Sequence, residues 1–274
     1  MKLSEMRQTL EERGIQLTKS LGQNFLHDAH QLNRIADLAD LEPSDKVLEI
    51  GPGLGPLTSV LLSRADRVMA IEIDNRLTDF LQERFQGSKA LHLVHSDALN
   101  FLRDQTHDWT GWKVVSNLPY SVASPILVEL ALSSLPPSRI VATLQSDVVN
   151  RLRSGPGAKD YGILTLLVTQ RYQIGPSFKI PASCFFPRPA VDSGCLSMVL
   201  RNPILVPQDE LKKFQIVVKL AFSQRRKMMS KLLKNRWSEG SIAAAMEACQ
   251  AAPQARAEEL SLEQFVKLST FLIP

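Results

Sequence analysis

Short apolar runs alternate with stretches of helical spacing through the first 145 residues. Lys46–Ile50, Val68–Ile73, Leu91–His95, Lys113–Ser116 and Ile140–Gln145 are brief and rich in β-branched residues, so each reads as a strand. Leu57–Arg64 and Arg76–Phe85 between them read as helices. Strands joined by helix-length crossovers predict a parallel, doubly wound sheet. After Tyr161 further apolar runs surround Gly175–Pro176 and the proline-dense Pro181–Pro189, which predicts a last pair of strands closing the sheet, the final one near Cys195–Leu200. Asn202–Pro207 contains two prolines and reads as a linker. Asp209 is placed as an N-cap ahead of Leu211, Phe214, Val218 and Phe222, and helix is predicted from there to Pro274, with Ala243–Ala245 and Leu262–Leu272 among the better helix formers. The expected division is a sheet domain over residues 1–201 and a small all-α domain over 202–274.

Charge changes this picture only when it is divided along the chain. Residues 1–138 carry 13 Lys and Arg against 18 Asp and Glu, residues 139–238 carry 17 against 5, and the remainder carries 2 against 5. A basic third suggests a polyanionic partner, because each neutralised phosphate releases condensed counterions. Lys219–Arg236 alone holds seven basic side chains and no acid. The three cysteines, Cys184, Cys195 and Cys249, have no C-x-x-C spacing, so buried free thiols are expected rather than a disulfide framework or a zinc site. Five scattered histidines suggest no metal centre. The charged N-terminus does not read as a secretory signal and no run approaches a membrane span, so a cytoplasmic protein without membrane association is expected.

The segment Val47–Thr58 is a strand, a glycine-rich turn and a helix start. Gly51, Gly53 and Gly55 let the backbone turn tightly and approach a ligand where a Cβ would collide. Glu72 ends the next strand, 21 positions after Gly51, where a carboxylate can accept bonds from two ribose hydroxyls. The spacing is G-x-G-x-G rather than the dinucleotide G-x-G-x-x-G, and Glu49 stands two positions before the first glycine. A carboxylate there repels a pyrophosphate but suits the amino group of a methionine moiety, which favours S-adenosylmethionine over NAD. Asp97, after the third strand, has two readings: acceptor for the amino group of the cofactor adenine, or helix N-cap.

Ser116-Asn117-Leu118-Pro119-Tyr120 follows the fourth strand, at the carboxyl edge where α/β sheets place ligands. An exocyclic adenine amine is a poor nucleophile because its lone pair is delocalised into the ring. The Asn117 amide oxygen and a backbone carbonyl held by Pro119 can accept its two N–H bonds and localise that pair, while Tyr120 stacks on the base.

In these motifs the chain resembles the adenine N6,N6-dimethyltransferases of ribosomal RNA. Leu21–Leu26 is similar to the family's N-terminal motif, whose Gln–Asn pair, here Gln23 and Asn24, contacts the cofactor. Gly51–Gly55, Glu72, Asp97 and Asn117–Tyr120 then match in order, Phe185–Ser193 resembles the motif whose first aromatic borders the target base, and Ala221–Lys227 resembles a basic C-terminal signature. The resemblance spans roughly residues 19–235. It implies a Rossmann-like, seven-stranded class I methyltransferase sheet with a small helical domain. It also implies dimethylation of small-subunit ribosomal RNA during ribosome biogenesis by a monomer that docks on the small subunit. On this reading Leu26, Ile73 and Ala98 join the cofactor contacts, Phe185 pairs with Tyr120 around the adenine, and Arg151, Arg153, Lys159, Arg188, Arg225, Arg226 and Lys227 meet RNA.

Overall fold

The computed structural model describes residues 1–18, 21–104 and 106–272. Its chain divides into two compact units, Met1–Val149 with Ile174–Val199, and Asn150–Gln173 with Leu200–Pro274. The second unit thus takes in Asn150–Gln173, which the division expected at residues 201 and 202 leaves with the sheet.

The first unit opens with helix α1 (Leu3–Glu12), which buries Met6 and Leu10, a two-residue strand β1 (Phe25–Leu26) and helix α2 (Ala29–Leu38), which buries Leu32, Ile35 and Ala36 at helical spacing. Strands β2 (Lys46–Ile50), β3 (Arg67–Glu72), β4 (Leu91–His95), β5 (Trp112–Asn117) and β6 (Arg139–Gln145) follow. Between them run α3 (Pro56–Leu62), α4 (Asn75–Arg84), α5 (Ala98–Arg103) and α6 (Ala123–Leu132). Helix α7 (Ser146–Arg153) and helix α8 (Ile163–Thr169) lead to β7 (Tyr172–Ile180), and a short strand β8 (Phe185–Phe186) precedes β9 (Ser193–Leu200). The seven-stranded sheet has the order β4-β3-β2-β5-β6-β9-β7. Neighbours from β4 through β6 are parallel and β9 runs antiparallel to β6, so the expected last pair does close the sheet. Helices cover the parallel strands, which explains why β2, β5 and β6 are nearly continuous buried runs.

Strand order decides where the chemistry sits. β2 and β5 are neighbours although more than sixty residues separate them, and the order of connection reverses between them. The crevice outside their carboxyl ends is a topological switch point, where open α/β sheets bind ligands. The glycine turn leaves β2 and the Asn117–Tyr120 turn leaves β5 side by side.

Within the second unit, α9 (Leu211–Ala221), α10 (Met229–Leu233), α11 (Glu239–Ala248) and α12 (Leu262–Phe271) pack with α8 around Phe214, Leu233 and Phe265. Phe222 stacks on Phe265 at 5.9 Å, and the Tyr161 hydroxyl donates to the Leu260 carbonyl at 2.9 Å. Asp209 is not the cap expected of it. It lies in a 3-10 turn, Gln208–Glu210, and α9 starts from Glu210 without a side-chain cap. Pro207 sets the chain direction there, so the turn forms before the helix does. Ile273 and Pro274, in the stretch expected to be helical, lie outside the described residues.

Candidate active site

A cleft of about 870 Å³ opens at the carboxyl ends of β2, β3, β4 and β5. Gln23, Asn24, Gly51, Gly53, Glu72, Ile73, Asp97, Ala98, Asn117, Leu118, Pro119 and Tyr120 all line it. Twelve residues from five separate stretches of sequence therefore meet around one space.

The glycine turn is shaped by backbone geometry at two of its positions. Gly53 has φ +61°, and a Cβ there would lie 2.6 Å from the Phe25 ring. Gly51 has φ +69°, and a Cβ there would meet Pro119 at 3.0 Å, so the two catalytic turns touch only because the side chain is missing. Gly55 plays a different part. It is the left-handed N-cap of α3, packed against Phe85 and Leu81, and it does not line the cleft.

Glu72 is 4% exposed and its carboxylate is held by the backbone on both sides. One oxygen accepts the Gly53 N–H at 3.1 Å, and the other accepts those of Ile73 at 2.9 Å and Asp74 at 3.0 Å. Burial pushes its pKa up, partly offset by these three N–H donors. The acid that the sequence singles out as a hydroxyl acceptor thereby also fixes the glycine turn over β3. Asp97 is the N-cap of α5, its Oδ1 accepting the Asn100 N–H at 2.9 Å, and the residue also lines the cleft.

Glu49 departs from expectation. It is 1% exposed, accepts the Thr58 hydroxyl at 2.6 Å, and borders a separate, smaller cavity of about 270 Å³ rather than the cleft. Burial pushes its carboxyl up to about 8. The reason is the strand period: Ile50 turns toward the cleft, whereas Glu49, the residue before it on β2, points to the opposite face, toward α3. Leu26 likewise belongs to the core, at 2% exposed.

Asn117 is the best-oriented polar group in the wall. Its Nδ2 donates to the Asn24 carbonyl at 2.8 Å, which fixes the amide plane. Its Oδ1 is buried with no hydrogen-bond partner among the described residues. Asn24 in turn donates from its own Nδ2 to the Gly22 carbonyl at 3.2 Å, and Gln23 is pinned between the Thr18 N–H and the Asp74 carboxylate. The Gln–Asn pair is thus scaffolding as well as cleft lining.

The Tyr120 hydroxyl shares a 2.5 Å hydrogen bond with the Ser193 hydroxyl, and burial pushes its pKa up. Phe185 is 3% exposed and lies edge-on to Tyr120, with centroids 6.5 Å apart and planes at 64°. The two rings are not the parallel pair expected around an adenine. β8 pairs antiparallel with β1 in the register Leu26↔Phe185, which directs Phe185 into the sheet core.

Sequence reasoning gave no site role to Leu21, Gly22, Phe25, Ile50, Ile71, Leu77, Ser96, Leu99, Ser121 and Val122, which complete the cleft wall. Leu77 is indistinguishable in sequence from any buried helical leucine; Phe25, flanked by Asn24 and Leu26, carried a positional signal. Of the residues expected at RNA, Arg188 falls in the first unit and Arg151, Arg153, Lys159, Arg225, Arg226 and Lys227 in the second, all of them exposed. Arg225 is paired with Glu258 at 2.5 Å. The three cysteines are buried free thiols. Among the described residues no helix is long and apolar enough to cross a membrane, and no group of three acids, histidines or cysteines is placed to hold a metal.

Residues 14–273 match the family described as "Ribosomal RNA adenine dimethylase". The chain is 41% identical over 263 residues to "Ribosomal RNA small subunit methyltransferase A" of Geobacter metallireducens, covering 93% of this chain and 95% of that one. It is 38% identical to the protein of the same name in Geobacillus kaustophilus, covering 98% and 95%. Among solved structures, the 23S rRNA methyltransferase ErmE superposes with a TM-score of 0.66 at 26% identity, covering 90% of this chain and 99% of that one. A dimethyladenosine transferase from Plasmodium falciparum shares the fold, with a TM-score of 0.73 at 23% identity, covering 89% and 95%.

Proposed function

The chain belongs to the ribosomal RNA adenine dimethylase family, and from that premise we propose that it converts adenines of small-subunit ribosomal RNA to N6,N6-dimethyladenosine during ribosome biogenesis in the cytoplasm, working as a single chain with S-adenosylmethionine as methyl donor. The observation that carries this reading is the buried, unpartnered Oδ1 of Asn117 in the wall of the cleft. An uncompensated buried carbonyl is unfavourable by about 1–3 kcal/mol, and an amine N–H arriving with the substrate removes that penalty.

The residues present fit the cofactor. Glu72 offers a carboxylate to a diol, Ile73, Leu77 and Ala98 offer apolar surface to a purine, Asp97 stands at the same end, and Gly51 and Gly53 bring backbone without side chain to the wall where a methionine chain would lie. S-adenosylmethionine bound there supplies an electrophilic methyl group on a sulfonium. Asn117 supplies the complementary half. With its amide locked by Asn24, its Oδ1 accepts one N–H of the target amine, and the Leu118 carbonyl before Pro119 accepts the other. Both acceptors draw the nitrogen out of conjugation as it becomes tetrahedral. Tyr120, anchored by Ser193, gives the base a stacking face, and Phe185 backs that ring edge-on from the core.

The test is transfer of labelled methyl groups to purified small subunits lacking the modification, with the products mapped by base. N6,N6-dimethyladenine is expected, and the reading is overturned if only another position is methylated. Asn117→Ala is expected to lower turnover about 10²–10³-fold while subunit binding survives. Unchanged turnover in the folded variant would remove Asn117 from the mechanism.

A further inference from the structure

Beside the catalytic cleft, the first unit carries a second, widely open cavity in which no residue has an assigned role. It is bordered by Arg7, Leu10 and Glu11 of α1, by Gly14, Ile15, Gln16 and Leu17 of the following loop, and by Phe186. We propose that this cavity is a subsite for the nucleobase next to the target adenine in the same RNA strand, stacked on Phe186 and covered by the Arg7 guanidinium. The proposal deepens the reading above and rests on it.

Strand geometry places the two positions. β8 is only Phe185 and Phe186, paired antiparallel with β1 in the register Leu26↔Phe185 and Phe25↔Phe186. Consecutive strand residues point to opposite faces. Phe185 and Leu26 therefore enter the sheet core toward Tyr120, whereas Phe186 and Phe25 pack against the cluster of Met6, Leu10, Ile15 and Leu54 on the side of α1. The Phe25–Phe186 rung is shared: Phe25 lines the catalytic cleft and Phe186 lines the second cavity. The cross-strand pair Phe25 and Phe186 thus presents one ring to each space. An RNA strand that turns one base into the cleft brings the next base to the same rung, one nucleotide away.

The chemistry of the cavity suits a base. Arg7 lies over the Phe186 ring at 5.1 Å, the ring is half-buried, and the Arg7 side chain is exposed on a flexible stem. An aromatic face opposed by a guanidinium is a common platform for an unstacked base, sequence-tolerant because every base has a π face. Leu10, Ile15 and Leu17 give an apolar floor, and the Gln16 amide at the rim can both donate to and accept from a base edge. A target base extruded from its stack leaves its neighbour unstacked on one side, so a platform here replaces contacts that extrusion removes.

The experiment uses small subunits reconstituted from RNA carrying an abasic nucleotide first on one side of the target adenine and then on the other, with Arg7→Gln and Phe186→Leu proteins. On intact RNA each variant is expected to lose about tenfold in kcat/KM for methyl transfer, within the range known for single stacking contacts. Cofactor affinity should be retained. With wild-type protein, one of the two abasic substrates should show a similar loss, and on that substrate the variants should lose little more. Losses that multiply independently, or a wild-type rate from both variants, overturn the subsite. A protein segment docked in the cavity instead would give variants that bind subunits weakly but respond identically to intact and abasic RNA, which also overturns it. Arg7→Gln alters an exposed side chain, so it remains informative if Phe186→Leu proves unstable. Absence of N6 methylation by wild-type protein on intact subunits is the separate result that removes the parent reading, and this one with it.

Discussion

Glu72 and Glu49 show how much the position of a single carboxylate decides. Both are buried and both have raised pKa values, yet one lines the cleft between three N–H donors and the other lies behind it, bound to Thr58. Replacing Glu72 by Ala would orphan three backbone N–H groups, so Glu72→Gln is the sharper variant. It keeps the shape while removing charge and one acceptor, and it is expected to weaken S-adenosylmethionine binding by about 1–3 kcal/mol with RNA affinity unchanged. Calorimetry showing equal cofactor affinity would reassign the ribose contact. Glu49 predicts a pH effect on stability instead. Its folded pKa of about 8 exceeds the unfolded value near 4.5, so the native state holds a proton that the unfolded chain releases throughout that window. Stability contributed by this group is fully present below the unfolded pKa and is lost as pH rises toward 8, at up to about 1.4 kcal/mol per pH unit. Glu72, also raised, adds a slope of the same sign. Melting temperature should fall from pH 5 to pH 8, and more shallowly in Glu49→Gln; parallel slopes in the two proteins would show that Glu49 is ionised in the fold.

At the level of elements, the cleft depends on turns that come close to each other. The glycine turn after β2 sits between Phe25 of β1 and Pro119 after β5, and Gly53 tolerates neither a Cβ nor an ordinary backbone. Gly53→Ala is expected to lose about 1–2 kcal/mol from the left-handed conformation alone, with further loss from the 2.6 Å approach to Phe25. Because Gly53 N–H also holds Glu72, cofactor affinity should fall together with the melting temperature. Adding Phe25→Leu should restore part of the stability by making room, and a Gly53→Ala protein with wild-type stability would mean that the turn can be repacked. β2 and β5 were legible in the sequence because each has a short buried apolar run, Val47-Leu48 and Val114-Val115, next to a turn signal. β1 and β8 were not, since two residues carry no period, and it is their pairing that separates the faces of Phe185 and Phe186.

Across the whole molecule, charge and chemistry are divided between the two compact units. The first holds 16 Lys and Arg against 20 Asp and Glu, the second 16 against 8. Chemistry and phosphate binding should therefore separate on mutation. Changing Arg225, Arg226 and Lys227 together to Gln is expected to weaken subunit binding and to reduce its salt dependence by up to about three phosphate contacts, with cofactor affinity intact. The engagement of Arg225 with Glu258 suggests a reduction nearer two. An unaltered salt slope would turn attention to Arg151, Arg153, Lys159 and Arg188. What the sequence determined by itself was local: the parallel α/β pattern, the glycine turn, the acid ending β3, and the Asn117–Tyr120 turn, because strand period, positive φ and proline stiffness are properties of short segments. Only the tertiary structure decided which face each of these presents. It put Glu49 behind the cleft, Phe185 into the core and Asn24 against the Asn117 amide. The reason is that facing depends on strand order and register, which bring residues 24, 50, 72 and 117 together from distant parts of the chain and which no local pattern encodes.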